Sequence, residues 1–243
     1  MPTAPSCPQP GEVHAWHAGT HALTGDRASH WLRALRPDER RRYDKYRLPA
    51  DRAMFLLSRA MTRVLVGQAL GCSPTEWEWR EGPRGRPLIA EPDTPLRFNL
   101  AHSAGLVVCG LANGRDVGVD VEDLNRRQTD QAMVRRYCSP DEADEILSRG
   151  DGWRERFLEY WTLKEAYLKA RGLGIAVALA ELNFRLDPAP IRIEFLGQLT
   201  GTDPRWSFHL ARATDRHVVA IAADMADGAS PDIHLEALSA DVL

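Results

Sequence analysis

Four side chains in this sequence have the types and spacing to do chemistry together: Asp120, Glu122, Glu165 and Lys169. The first two lie in Gly118-Val119-Asp120-Val121-Glu122, where Val117, Val119 and Val121 alternate with the glycine and the acids. A period of two predicts a strand with valines on one face and both carboxylates on the other. Residues i and i+2 of a strand stand roughly 6.5–7 Å apart, at about 3.3 Å per residue. Carboxylates at that spacing repel weakly in water and strongly when buried. A divalent cation between them removes the conflict; a solvated polar strand face is the plainer alternative.

Glu165 and Lys169 belong to a helical pattern, Trp161-Thr162-Leu163-Lys164-Glu165-Ala166-Tyr167-Leu168-Lys169. Phe157, Leu158, Trp161 and Leu168 fall on one arc of the wheel, with Glu165 inside it. Tyr160, Leu163 and Tyr167 make the opposite side apolar, so the helix is expected to be buried over most of its circumference. A carboxylate in such a helix is costly unless paired or bound to metal. Lys169 follows one turn later, and an ordinary Glu-to-Lys helix pair is the alternative. Gly172 and Gly174 are expected to stop the helix. Three carboxylates and a cation are a set suited to a magnesium-dependent enzyme that handles a pyrophosphate.

These two motifs resemble the signatures of the 4′-phosphopantetheinyl transferases, and specifically the long, monomeric type that activates nonribosomal peptide and polyketide synthases. Gly85-Arg86-Pro87 and Phe98-Asn99-Leu100-Ala101-His102-Ser103 are similar to that family's glycine–basic–proline turn and Asn-x-Ser-His-Ser strand. Asp38 through Arg42, Asp51-Arg52 and Arg59 resemble its basic first helices. The likeness spans roughly residues 30–225, and Trp161 with Lys-Glu-Ala resembles the surfactin-synthetase-activating subgroup of broad carrier tolerance. Ala101 departs from the usual serine, which removes any hydroxyl contact to a phosphate there.

The resemblance implies an α+β fold: a pseudo-twofold pair of similar subdomains with the active site at their interface. It implies transfer of 4′-phosphopantetheine from coenzyme A to a serine of an acyl- or peptidyl-carrier protein, releasing 3′,5′-ADP. Asp120, Glu122 and Glu165 would hold Mg²⁺; Asp120, Glu165 and Lys169 would be catalytic, with Glu165 a candidate base for the serine. Arg42, Arg86, Asn99, His102 and Lys169 would contact the coenzyme. A magnesium-dependent nucleotide pyrophosphatase or phosphodiesterase, and a non-catalytic coenzyme A or carrier-protein binding module, are the competing readings.

Composition fits a cytoplasmic enzyme. The chain has 243 residues, 44% hydrophobic, with 31 basic and 34 acidic residues for a net charge of −3. That balance argues against a general nucleic-acid binder. Basic residues nevertheless crowd the stretch from Arg33 to Arg52, an expected anion site once the resemblance is taken into account. Cys7, Cys72, Cys109 and Cys138 have neither CxxC nor metal spacing and are expected to be free thiols. The Pro-rich start is no signal peptide, and no apolar run approaches the ~20 residues of a membrane span. A monomer with no nucleic-acid or membrane partner is expected. The other histidines make no ligand pattern, so no zinc site is expected.

The elements that must position these side chains can also be read. Phe98-x-Leu100-Ala101 before Val107-Val108 is echoed by Phe208-x-Leu210-Ala211 before Val218-Val219, a faint internal repeat. Helices are expected near 29–35, 37–47, 51–70, 139–147 and 153–171. Ser139-Pro140-Asp141-Glu142 is a capping-box start with proline at the first helical position. Strands are expected near 13–17, 76–80, 98–102, 106–112, 117–122, 182–186, 191–195, 206–211 and 217–222. The division falls at residues 1–115 for an N-terminal half with the coenzyme contacts and 116–226 for a C-terminal half with the carboxylates. Residues 227–243 read as a loose tail.

Overall fold

The computed structural model describes residues 7–82, 86–126, 128–173, 178–203, 205–225 and 228–243; Gly85 and Gly174 lie outside them. One order of elements occurs twice. The first pass is β1 (Glu12–Gly19), α1 (Gly25–Ala34), α2 (Pro37–Lys45), α3 (Pro49–Leu70), β2 (Glu78–Glu81), β3 (Pro87–Glu91), β4 (Leu96–Ser103) and β5 (Leu106–Asn113). The second is β6 (Val117–Asp123), α4 (Gln131–Tyr137), α5 (Pro140–Leu147), α6 (Trp153–Arg171), β7 (Leu182–Arg185), β8 (Arg192–Phe195), β9 (Trp206–Thr214) and β10 (His217–Asp224). Each pass builds the same antiparallel unit, β1-β5-β4 in one and β6-β10-β9 in the other. The α+β fold of two similar subdomains follows, and the echoed segments are the hairpins β4–β5 and β9–β10.

Period-two patterning makes the layers. On β5, Val107, Cys109 and Leu111 face α3, while Leu106, Val108 and Ala112 face the second sheet. Val117, Val119 and Val121 of β6 join Val219 and Ile221 in that middle core. Gly118, Asp120 and Glu122 therefore point the other way, toward α6. A slip of one residue would exchange three valines for two carboxylates in the middle core, so the register of β6, with Asp120 opposite Ala220, is strongly enforced. The layers run helix α3, first sheet, second sheet, helix α6.

Local signals place most ends. Ser139 accepts from the Glu142 N–H while Glu142 returns to the Ser139 N–H, the expected capping box. Gly172, at φ 62°, closes α6 in the left-handed conformation a β-carbon disfavours. Other details differ from expectation. The first helix starts at Gly25, before the expected residue 29, and α3 starts at Pro49, before the expected residue 51, with proline in its first turn. Helix α4 and strand β3 carry no strong periodicity and were not expected.

The largest difference lies at the C-terminus. Asp232–Ala237 is a strand, β11, parallel to β1 from Glu12/Asp232 to His17/Ala237. Leu238 is buried in the N-terminal core, and Trp31 donates its indole N–H to the Leu243 carbonyl at 2.7 Å. The expected loose tail is thus a structural strand: Ile233 and Leu235 alternate with Asp232, His234 and Glu236 and pack on the middle core, a short period of two that a reading by composition passes over, and β1 supplies the backbone partners. Removing residues 228–243 is expected to lower the urea midpoint of unfolding. Exposure of Leu238 alone costs about 2 kcal/mol, and an unchanged midpoint would mean the strand does not matter.

Candidate active site

Strand β6 meets α6 at Gly118. A β-carbon there would lie 2.1 Å from the Ala166 carbonyl oxygen and 2.4 Å from the Ala170 nitrogen. The glycine, with Ala166 and Ala170, lets strand and helix approach closely enough for their polar side chains to meet. Lys169 reaches across to Asp120, with Nζ 2.6 Å from Oδ1. It does not form the Glu165 pair that helical spacing suggested. Asp120 is 7% exposed, and its second oxygen, Oδ2, is buried with no hydrogen-bond partner. Glu122 accepts from Arg126 at 2.9 Å, with the Trp161 side chain nearby.

Electrostatics bring the three carboxylates into one cluster. Burial raises the pKa of Asp120, and Lys169 opposes that rise. Burial, then the charge of Asp120, raises Glu122. Burial, then Asp120, with a smaller push from Glu122, raises Glu165. Burial is the first cause in all three, and like charge the second for Glu122 and Glu165. Among the described residues no three His, Cys, Asp or Glu side chains stand close enough as they are to hold a metal ion, so at most two carboxylates would ligate one without movement. The donors are all carboxylate oxygens, and one is orphaned. That set fits Mg²⁺, which takes few protein ligands and completes its shell with water and substrate phosphate.

Beside the cluster, on the N-terminal half, lies a cavity of about 1030 Å³ walled by α2, α3 and the first strands. Arg42, Tyr46, Arg59, Arg80, Trp79 and His102 are among its lining residues. His102 links cavity and cluster: desolvation, then the Lys169 charge, lowers its pKa, while Asp120 opposes them. Arg59 lies 4.3 Å from the Trp79 ring centroid and 4.7 Å from that of Phe55. Glu39 pairs with Arg59 at 3.4 Å and holds Arg63 at 2.9 Å. Arg80, Tyr46 and the Trp79 wall were not singled out from sequence. Trp77-x-Trp79 and the Phe55/Arg59 helical spacing were the only signals.

Two expected coenzyme contacts are elsewhere. Asn99 is buried, and its Oδ1 accepts the Val119 N–H at 3.0 Å, which fastens β4 to β6. Arg86 donates to Asp116 at 2.7 Å and packs against Gly172 rather than on the cavity wall. Ala101 faces the middle core, so a serine there would meet valines. Its departure from the family pattern therefore removes no phosphate contact in this structure. Arg42 does line the cavity, its guanidinium 5.9 Å from the Phe55 ring. Arg42→Ala is therefore expected to weaken coenzyme A binding with an unchanged melting temperature. Arg86→Ala is expected to cost about 1 kcal/mol of stability instead. Calorimetric binding and thermal melts of both variants test this, and the reverse assignment would refute it.

Two similar α+β units carry a large cavity lined by arginines and acids on one side and clustered carboxylates on the other. Residues 116–222 match the 4′-phosphopantetheinyl transferase superfamily, and residues 21–113 match the N-terminal region of 4′-phosphopantetheinyl transferases. The chain is 34% identical to a phosphopantetheinyl transferase of Thraustochytrium sp. over 82% of its own length and 74% of the relative's. It is 31% identical to the 4′-phosphopantetheinyl transferase HetI of Nostoc sp. over 87% of each chain. A solved structure of Thermotoga maritima holo-[acyl-carrier-protein] synthase is similar over 45% of this chain and 62% of that one, at 24% identity and a TM-score of 0.39. The chain belongs to the 4′-phosphopantetheinyl transferase superfamily and is an enzyme of that class. The hydrolase and binding-module alternatives give way to this membership.

Proposed function

We propose that Asp120, Glu122, Glu165 and Lys169 carry the reaction of this family, transfer of 4′-phosphopantetheine from coenzyme A to a carrier-protein serine. The observation that carries the reading is the partly buried carboxylate cluster with its orphaned Asp120 oxygen, beside Lys169 and a large cavity lined in part by Arg42, Arg59 and His102. Residues 1–115 supply the coenzyme cavity, and residues 116–226 supply the carboxylates. Arg42 and His102 hold coenzyme phosphates. Asp120, Glu122 and Glu165 hold Mg²⁺, which when bound neutralises charge developing on the pyrophosphate. Glu165, its pKa raised by burial and like charge, takes the proton of the acceptor serine. The serine oxygen bonds to the β-phosphorus, the bond from that phosphorus to the bridging oxygen breaks, and 3′,5′-ADP leaves with the electron pair. Lys169 neutralises a phosphate oxygen as it leaves Asp120. Positioning and charge neutralisation are what phosphoryl chemistry asks of a protein.

The four cysteines are free, which suits a reducing cytoplasm, and no described helix is long and apolar enough to cross a membrane. The enzyme acts as a monomer on apo acyl- or peptidyl-carrier proteins. Incubation with coenzyme A, Mg²⁺ and a panel of apo carriers, read by intact mass, tests the reading. Holo carrier should form, and Asp120→Ala should abolish it while the protein stays folded. Undiminished transfer by Asp120→Ala at limiting Mg²⁺ would sink the metal assignment.

A further inference from the structure

Lys164 has no part in the transfer derived above, yet it is only 1% exposed. Its ammonium donates to Glu142 Oε2 at 2.6 Å and to the carbonyls of Leu182, Leu179 and Tyr137 at 2.7, 2.8 and 3.1 Å. Glu142 is saturated in turn by the N–H groups of Phe184 and Ser139, at 2.7 and 2.8 Å. A buried ion pair by itself adds little net stability over apolar residues of the same size. The three carbonyls are the informative part, because they bring separate segments to one point. Tyr137 ends α4, while Leu179 and Leu182 bound the turn by which the chain returns from α6.

What Tyr137 does next connects this anchor to the site. Its ring stands edge-on to Trp161, with centroids 5.2 Å apart at 75°. The Trp161 side chain lies near Glu122, to which Arg126 donates at 2.9 Å. The path runs from a buried ammonium through a backbone carbonyl and two aromatic rings to the neighbourhood of a carboxylate of the cluster.

We infer that Lys164 is a positioning residue: by anchoring Tyr137 it fixes Trp161, and through the indole it fixes the Glu122 carboxylate beside Asp120 and Glu165. This rests on the reading of Glu122 as a metal ligand. Groups that orient a ligand from behind typically govern metal affinity by about 10–100-fold.

The test measures Mn²⁺ binding calorimetrically in the presence of 3′,5′-ADP, alongside thermal melts and the Mg²⁺ dependence of transfer. Lys164→Met alone strands the Glu142 charge and is expected to destabilise the protein. The double variant Lys164→Met/Glu142→Met removes both charges and should keep the fold, since apolar replacement of a buried pair is often neutral or stabilising. Its Mn²⁺ affinity should still fall by about tenfold or more, with the half-saturating Mg²⁺ rising in parallel. Tyr137→Leu and Trp161→Phe, which leave the Lys164–Glu142 pair intact, should reproduce the loss; they carry the test if the double variant does not fold. Unchanged Mn²⁺ affinity in these two variants overturns the inference, as does a folded double variant that binds Mn²⁺ normally. Glu122→Gln separates the two readings. If it leaves Mn²⁺ affinity unchanged, the metal assignment fails; if it weakens binding while the other variants do not, the role of Lys164 fails.

Discussion

Glu165→Gln is expected to lower the maximal transfer rate by about 10²–10⁴-fold, the usual cost of a lost general base, while raising the melting temperature of the ligand-free protein. Its carboxyl is held above the ordinary range by burial, then by Asp120 and Glu122. A folded-state pKa above the unfolded one means that the native state binds more protons between the two values. Stability therefore falls as pH rises from about 4.3, the unfolded value, through the raised folded value, and the whole penalty is present above it. Glutamine removes that penalty, so the variant's advantage should be largest near neutral pH and vanish in acid. Lys169→Met should behave differently: both rate and coenzyme affinity fall, and stability falls too. It strands the buried Asp120 carboxylate, at an expected cost of about 1–3 kcal/mol because Lys169 is itself 31% exposed. Extra Mg²⁺ should partly rescue Glu165→Gln and not Lys169→Met. Single-turnover kinetics and melts between about pH 4 and 8 check all of this. Loss of stability with retained turnover in both variants would reduce the pair to scaffolding.

Gly118→Ala should be among the most destabilising single changes in the protein, about 3 kcal/mol or more. The new β-carbon meets backbone atoms of Ala166 and Ala170, at 2.1 and 2.4 Å, and backbone cannot turn aside as a side chain does. Helix α6 must move off β6, carrying Glu165 and Lys169 away from Asp120, so activity should fall in the fraction that remains folded. Gly110 is the control. Its β-carbon would meet Val119 Cγ1, a side-chain atom, at 2.6 Å. Gly110→Ala should therefore be rescued by Val119→Ala, whereas Ala166→Gly should not rescue Gly118→Ala. Urea denaturation of both pairs measures the difference, and rescue of Gly118→Ala by Ala166→Gly would contradict the backbone clash.

Much of this was readable along the chain, and the reason is locality. The alternation from Val117 to Glu122, the Ser139/Glu142 box and the arc of α6 are written in neighbours a few residues apart. So were the paired hairpins, because each half had to write its own strand pattern. The motifs carried the family through their order. What no local pattern could carry was the partner of each polar group. Lys169 had Glu165 one turn away and takes Asp120 instead, because the Gly118 contact brings β6 against that face of α6. Asn99 reads as a ligand in its motif and serves as a fastener, because β4 lies beside β6 only in the folded chain. Arg86 is claimed by Asp116, and Lys164 finds Glu142 and three carbonyls drawn from separate segments. The alternation of Ile233 and Leu235 in β11 was written locally, but the open edge of β1 that pairs with it was not. The sequence by itself determined most of the elements, the repeat and the chemical set, since those depend on period and residue type. Only the tertiary structure decided which charge meets which, because a buried ion takes whatever counter-charge or dipole the packing brings within about 3 Å.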